Sequence, residues 1–278
     1  MIKVVITAAG KGVRLLPATK SLSKEMLPIF SIREKEKTLV PLLQLIFEKL
    51  YEENFRDYCF VVGREKRSIE DHFTPHNVYL KEIPKKYQLI LKKFYKKIDK
   101  CNLTWINQNH PLGFGDAVRR TEKFVGTDDM FIHAGDVTFL GHNTHPIPRM
   151  INTVKNNPDL SCVLLCKKVK NTKRYGVAKI KKISNTLFEI QEVEEKPNNP
   201  KSNYAIMPIY YFKPIIFKYL KRIKKGKCDE YQLTDAIQKL IENGEKVAAI
   251  PLLSTEEEID IGTPELYKKA IDFTYNIK

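Results

Sequence analysis

No run of about 18 uncharged apolar residues occurs in the 278-residue chain, which excludes a membrane-spanning helix of ordinary length. The opening MIKVVITAAG lacks the charged, then apolar, then small-residue layout of a secretory signal, so a cytoplasmic location is expected. The five cysteines, Cys59, Cys101, Cys162, Cys166 and Cys228, are odd in number, sit mostly in apolar runs and form no CxxC. Reduced, buried thiols are expected rather than disulfides or a zinc site. The sequence also lacks a G-x-S-x-G elbow, a Cys-His nucleophile signature and a helix-borne HExxH. His133, His142 and His145 lie close together, but no acidic pattern completes a zinc site around them. They read as surface residues or as supports behind a site. No internal repeat is visible.

What is present is positive charge and a sizeable apolar complement. At 42% hydrophobic the chain can bury a substantial core. Its formal charge of +15 calls for a polyanionic partner or a solubilising surface. Nucleotides, phosphosugars, nucleic acid and anionic membranes all qualify. The lysines are spread along the chain instead of grouped with stacking aromatics, and no nucleic-acid reader motif occurs, so nucleic acid is not expected as a partner.

Short Val/Ile-rich runs alternate with helical patterns: IKVVITAA, PLLQLIFEKLYEE, YCFVVG, SIEDHF, LTWINQ, GDAVRRTEKF, MFIHAGD. That alternation predicts an α/β fold with a mainly parallel sheet flanked by helices, and ligands at the carboxyl ends of its strands. From about residue 160 the text becomes richer in strands (LSCVLLCKKV, YGVAKI, TLFEIQEVEEK, SNYAIMPIYYF), which predicts added antiparallel strands within one domain spanning residues 1–278. A basic insertion at about 77–100 places Tyr87, Leu91, Phe94 and Ile98 on one helical face among lysines. Such a helix could lie on a membrane, grip an acidic partner, or pack on the domain or a subunit neighbour. Stable membrane association is not expected.

The loop TAAGKGVRLLPATKSLSKEMLP follows the first strand with two glycines, an arginine and three lysines. It is neither the dinucleotide fingerprint, lacking a third glycine, nor a P-loop, lacking a GKS or GKT ending. Gly10 and Gly12 would still let backbone N–H groups approach phosphate oxygens, with Arg14 and Lys24 adding positive charge. Taken alone, the glycines could equally make a turn and the cations be solvated.

G-x-G-x-R-x-x-P followed by K-E-M-L-P resembles the signature of sugar-1-phosphate nucleotidyltransferases, in particular the bacterial-type UTP–glucose-1-phosphate uridylyltransferases (UDP-glucose pyrophosphorylases). The motifs run in the family's order from Ile2 to about Tyr275. Val13 stands where the family usually has threonine. The resemblance implies a Rossmann-like nucleotidyltransferase fold, the second half of which binds the sugar. It also implies the reaction of UTP and glucose 1-phosphate to UDP-glucose and pyrophosphate with Mg²⁺. The partners would be a nucleoside triphosphate and a sugar 1-phosphate, and a homo-oligomer, dimer or tetramer, is expected. A thymidylyltransferase using dTTP shares most of these motifs, and a non-catalytic sugar-nucleotide-binding subunit is the alternative from another class.

By the same resemblance, Ala8, Ala9, Gly10 and Gly12 would line the nucleotide, with Gln108 and the backbone at Gly113 reading the base. Arg14 and Lys24 would act on the phosphates, and Asp136 and Asp260 would bind magnesium. Gly176, Glu195 and Lys196 would hold the sugar phosphate. Read from the residues alone, Asp136 closes an apolar strand, where an α/β sheet gathers its ligands, but could be a turn residue. Glu195 and Lys196 pair a carboxylate for sugar hydroxyls with an ammonium for phosphate, but could be a strand end closed by Pro197. Thr234 and Asp235 in DEYQLTDAI could be ordinary first-turn residues; Glu230 and Asp235 carry no assigned role.

Overall fold

The computed structural model describes residues 1–141 and 144–277. Its first half alternates broadly as the sequence predicts, but at two places strands follow one another with no helix between them. Strand β1 (Ile2–Ala8) runs into the glycine-bearing loop. A hairpin of β2 (Pro28–Arg33) and β3 (Glu36–Pro41) then precedes helix α1 (Leu42–Glu52). There follow β4 (Asp57–Val62), α2 (Arg67–His72), α3 (Asn77–Glu82), α4 (Lys85–Ile98) and β5 (Asn102–Asn107). The GDAVRRTEKF segment, read as one helix, breaks at Arg120–Thr121 into α5 (Phe114–Arg119) and α6 (Glu122–Val125). Strands β6 (Asp129–Ala134) and β7 (Val137–Gly141) and helix α7 (Pro146–Asn156) complete this half.

The second half is strand-rich, as expected. It holds β8 (Cys162–Lys168), β9 (Gly176–Lys182), β10 (Phe188–Glu195) and β11 (Tyr204–Phe212) before α8 (Ile216–Leu220) and α9 (Leu233–Glu242). Strands β12 (Val247–Pro251) and β13 (Glu256–Asp260) and helix α10 (Pro264–Asn276) end it.

Nine strands form one mixed sheet in the order β5-β4-β1-β6-β11-β8-β12-β10-β9. The first four are mutually parallel, and β11 enters antiparallel to both β6 and β8. Strand β9 also pairs with the start of β11, through Tyr204↔Ala178 and Ala205↔Val177, so the last five strands curl back on themselves. Strands β8 to β12 therefore continue the parallel sheet, while the antiparallel pairs β2–β3 and β7–β13 stand apart from it.

Alternation along the strands explains the two-faced core. Val4, Ile6 and Ala8 of β1, with Tyr58, Phe60 and Val62 of β4, point to the face covered by α1, α4 and α7. Val5, Cys59 and Val61 point to the face covered by α5, α8 and α9. Helix α1 shows why it forms where it does: Leu42, Leu43, Ile46, Phe47 and Leu50 recur at helical spacing and are all buried. Each such side chain contributes about 1.5–3 kcal/mol by burial.

The basic insertion packs on the domain. Pro84 divides α3 from α4, and α4 buries Phe94 against Phe47 and Phe73, with Ile98 also buried; Lys97 pairs with the buried Glu48, the other α4 lysines face solvent, and Tyr87 stays exposed. All five thiols are free, but Cys228 is exposed and Cys101 half-buried, contrary to a uniformly buried set. His133 and His145 are buried instead of lying on the surface. His142 lies outside the described residues. Among the described residues no helix is long and apolar enough to cross a membrane.

Candidate active site

The carboxyl ends of β1, β5 and β6 open into a cavity of about 310 Å³ lined by Ala9, Gly10, Lys24, Gln108, Gly113 and Asp136, with Glu25, Phe114, Pro208 and Glu230 around them. Six of the residues singled out in the sequence thus meet in one place. Ala8 is buried at the strand end beneath, and Gly12 lies further out in the loop. Gly12 has φ +66°, and a Cβ there would sit 3.2 Å from Thr19 Cβ. The Thr19 hydroxyl and the Leu15 N–H both donate to the Gly12 carbonyl, at 2.8 and 2.9 Å, and fold the loop tightly.

Gly10 has a different use. A Cβ on it would lie 3.3 Å from Lys24 Nζ, so its lack of a side chain lets the ammonium lie over the strand end. That ammonium donates to Asp136 Oδ2. Burial works against the Lys24 charge, but the Asp136 and Glu25 carboxylates outweigh it and hold its pKa above the ordinary lysine value. Burial likewise opposes the Asp136 charge, and Lys24 overcomes it and keeps the carboxyl below the usual range.

Asp136 and Asp260 are brought together by backbone pairing. Asp136 immediately precedes β7, Asp260 ends β13, and Val137 lies opposite Asp260 in that antiparallel pair. The Ile261 N–H donates to the Asp136 carbonyl at 3.3 Å, and the Gly262 N–H to Asp260 Oδ1 at 2.7 Å. Burial pushes the Asp260 pKa up, and the charge of Asp136 adds to the rise despite the Gly262 bond. Two hard oxygen ligands that repel one another fit a small divalent cation, which would relieve both effects. Among the described residues no cluster of three or more His, Cys, Asp or Glu could hold a metal, so further ligands would have to come from substrate or water.

Arg14 lies on the Asp260 side, not in the cavity that holds Gly10. A Cβ on Gly262 would meet Asp260 Oδ1 at 3.0 Å and the Arg14 guanidinium at 3.2 Å. Arg14, Asp260, Tyr175, Lys167, Arg174 and Glu258 line a second cavity of about 340 Å³.

Gly176, Glu195 and Lys196 make a third group. Thr234 Oγ1 donates to Glu195 Oε2 at 2.7 Å, and Lys196 Nζ lies 3.5 Å from Glu195 Oε1. A Cβ on Gly176 would come within 3.0 Å of Thr234 Oγ1 and 3.1 Å of Glu195 Oε2. Lys196 takes a left-handed φ of +41°, and its N–H donates to the Tyr175 carbonyl, so the pair is turned inward by β9 and β10 together.

Sequence reasoning overlooked three charged residues. Glu25, 1% exposed, sits in the quoted KEMLP beside Lys24 and accepts from Lys66 Nζ at 2.7 Å; burial pushes its pKa up in spite of Lys66. Lys66 follows β4, and its place at a strand's carboxyl end was the available signal. Asp116, fully buried, lies in the first turn of α5, just after the glycine turn. Its Oδ2 accepts from Gln108 Nε2 at 2.9 Å. The Gly113 carbonyl accepts from the same nitrogen at 3.1 Å. Both N–H groups of Gln108 are thereby engaged, and its carbonyl oxygen is the group it has left to offer. Glu230 completes the wall: Gly113, with φ +103°, would clash through a Cβ with Glu230 Cβ at 2.8 Å, while the Tyr231 N–H and carbonyl bond to Leu112 and Gly115.

Comparison with known proteins agrees in sequence and in structure. The "Nucleotidyl transferase" family profile matches residues 3–276. A UTP–glucose-1-phosphate uridylyltransferase from Bacillus subtilis (strain 168) is 34% identical over 245 residues, covering 86% of this chain and 80% of that protein. UTP–glucose-1-phosphate uridylyltransferase 2 from Streptococcus pyogenes serotype M1 is 33% identical over 244 residues, covering 86% and 79%. Among solved structures, a UDP-glucose pyrophosphorylase complexed with UDP-glucose superposes with a TM-score of 0.85 at 28% identity, over 99% of both chains. The UTP-bound enzyme from Acinetobacter baumannii gives 0.82 at 25% identity, over 98% of this chain and 93% of that one.

Proposed function

Because this chain belongs to the nucleotidyl transferase family, we propose that it is a UTP–glucose-1-phosphate uridylyltransferase, forming UDP-glucose and pyrophosphate. The observation that carries the reading is the position of Lys24 and Asp136. They lie in the cavity shared with Gly10, Gln108 and Gly113, and the β7–β13 pairing joins that cavity to Asp260 and Arg14.

The sugar phosphate oxygen attacks the α-phosphorus of UTP in line, and the bond to pyrophosphate breaks. The nucleophile is already an anion, so no general base is needed. The protein's work is to align two negatively charged reactants and neutralise them. Lys24, paired with Asp136 and held charged by Asp136 and Glu25, bridges phosphates at the reacting centre. Arg14, exposed beside Asp260, meets the departing pyrophosphate. Asp136 and Asp260 would hold Mg²⁺, which supplies charge neutralisation at phosphate oxygens. Ala8, Ala9, Gly10 and Gly12 set the backbone against the nucleotide. Gly176, Glu195 and Lys196 take the sugar phosphate, with the carboxylate on hydroxyls and the ammonium on phosphate. The half after residue 160 serves as the sugar side of a single domain.

The Gln108 carbonyl accepts from the N3–H of uracil and would treat thymine alike. That property favours dTTP as the second nucleotide. The thymine methyl shifts the balance by about 1–3 kcal/mol in an apolar pocket. A homo-oligomer, dimer or tetramer, acting in the cytoplasm without nucleic acid or stable membrane attachment, completes the proposal. Incubation with UTP, glucose 1-phosphate and Mg²⁺, followed by chromatography of the products, tests it. A peak co-eluting with UDP-glucose is expected, and unchanged substrates would count against it.

A further inference from the structure

Asp116 is 0% exposed and yet carries a charge. Its Oδ1 accepts from Arg119 Nη2 at 2.8 Å. Its Oδ2 accepts from Arg120 Nε at 2.8 Å and from Gln108 Nε2 at 2.9 Å. The two arginines are its immediate helical neighbours at i+3 and i+4 on α5 and its extension, and each remains about a third exposed. A buried carboxylate with two arginines and a glutamine is a costly arrangement for a stretch this short, unless it holds something in place.

We propose that Asp116 is a positioning residue for base selection: it fixes the Gln108 amide with its carbonyl oxygen toward the nucleotide cavity. The physical reason is polarity. An ionised carboxylate can only accept, and so can the Gly113 carbonyl on the other side. The reversed amide would press its oxygen against two acceptors in a buried site, leaving all three short of a partner. Burial raises the cost of the Asp116 charge, but the bonds from Gln108, Arg120 and Arg119 hold its carboxyl below the ordinary range, so the acceptor is permanent near neutral pH. Uracil offers a donor, N3–H, to the oxygen so fixed. Cytosine offers a lone pair on N3 and meets acceptor with acceptor.

The network reaches the opposite wall as well. Arg119 lies 5.0 Å over the Tyr231 ring, and the Tyr231 carbonyl accepts from the Gly115 N–H, so Asp116 also ties down the loop that carries Glu230. Asp116 touches no substrate in this scheme. It acts through Gln108.

The inference rests on the uridylyl reading of the cavity, and a binding experiment separates the two. UTP and CTP are titrated separately into the wild-type chain and into Asp116→Asn by calorimetry, without glucose 1-phosphate, after a cooperative thermal transition has been seen for each protein. The wild type should bind UTP about tenfold or more tightly than CTP. In Asp116→Asn the neighbour of Gln108 can present either an oxygen or an NH₂, so both amide orientations become available and the ratio should fall toward unity. A merely structural role for Asp116 would weaken both nucleotides alike and leave the ratio unchanged, which overturns the inference while the uridylyl reading stands. Equal binding of UTP and CTP by the wild type would overturn both. Asp116→Ser, which removes the carboxylate and offers no amide, is measured alongside in case the asparagine variant does not fold, and should lose the preference too.

Discussion

The Lys24 ammonium donates a hydrogen bond to Asp136 Oδ2 across 112 residues of chain. The loop after β1 supplies the cation and the turn after β6 supplies the anion, so neighbouring parallel strands deliver both to one spot. Such a pair can exchange partners once phosphates arrive. In the proposed reaction the lysine would turn to substrate oxygens, leaving the carboxylate free to hold a metal ion.

Turnover should therefore depend on both members. Lys24→Ala and Asp136→Asn are each expected to lower kcat by about 10²-fold or more, with circular dichroism unchanged. Near-normal pyrophosphate release by either folded variant removes that residue from the mechanism.

The sugar side can be perturbed separately. In Gly176→Ala the new methyl meets Thr234 Oγ1 and Glu195 Oε2, both ends of side chains that can move. The fold should persist, while KM for glucose 1-phosphate rises about tenfold, equivalent to ~1.4 kcal/mol, and KM for UTP stays within a factor of two or so. Equal rises in both KM values would place Gly176 outside the sugar subsite.

Lys66 and Glu25 form a buried ion pair, 8% and 1% exposed at their side chains. Lys66→Met strands the carboxylate and should cost about 3–5 kcal/mol of stability at neutral pH. Lys66 lowers the Glu25 pKa in the wild type. Without it the carboxyl protonates closer to neutrality, so the deficit relative to wild type should shrink on acidification. Urea midpoints at several pH values give the answer; a deficit independent of pH contradicts the pairing.

Acid sensitivity should come from the buried His133 and His145 and the half-buried His72. Burial pushes His72 down to about 4, His133 to about 4 and His145 to about 3. In the unfolded chain each titrates near 6.5, so below that pH the unfolded state takes up the protons first. Stability conferred by the neutral rings is complete above about 6.5 and is lost as pH falls toward 4, at up to about 1.4 kcal/mol per unit for each ring. His72 packs against Phe73 and Phe94 and bonds to Gln44 Oε1 at 2.9 Å. His72→Leu should flatten the dependence of the melting temperature on pH between 6.5 and 4. An unchanged slope would show that His72 is not one of the groups responsible.

The parallel half of the sheet was legible because its strands are buried on both faces and read as continuous Val/Ile runs. The β2–β3 hairpin was not, since PIFSIR and EKTLVP carry exposed charge and no tight-turn dipeptide. Glu34 and Lys35 instead adopt positive φ without glycine. Charged residues at the ends of motifs could be named from the sequence. Their partners could not: Thr234 on Glu195, Asp116 on Gln108 and Lys66 on Glu25 depend on which strands become neighbours. The separation of Arg14 from the cavity around Gly10 was equally hidden, because one loop carries both and only its three-dimensional course parts them.

The most direct measurement is pyrophosphate release with glucose 1-phosphate and Mg²⁺, supplying UTP, dTTP, CTP, ATP and GTP one at a time. Rapid release with UTP, lesser or comparable release with dTTP, and little with the other three is the expected result. Release from none of the five, or from a purine triphosphate in preference to UTP, would contradict the assignment of this site to uridylyl transfer.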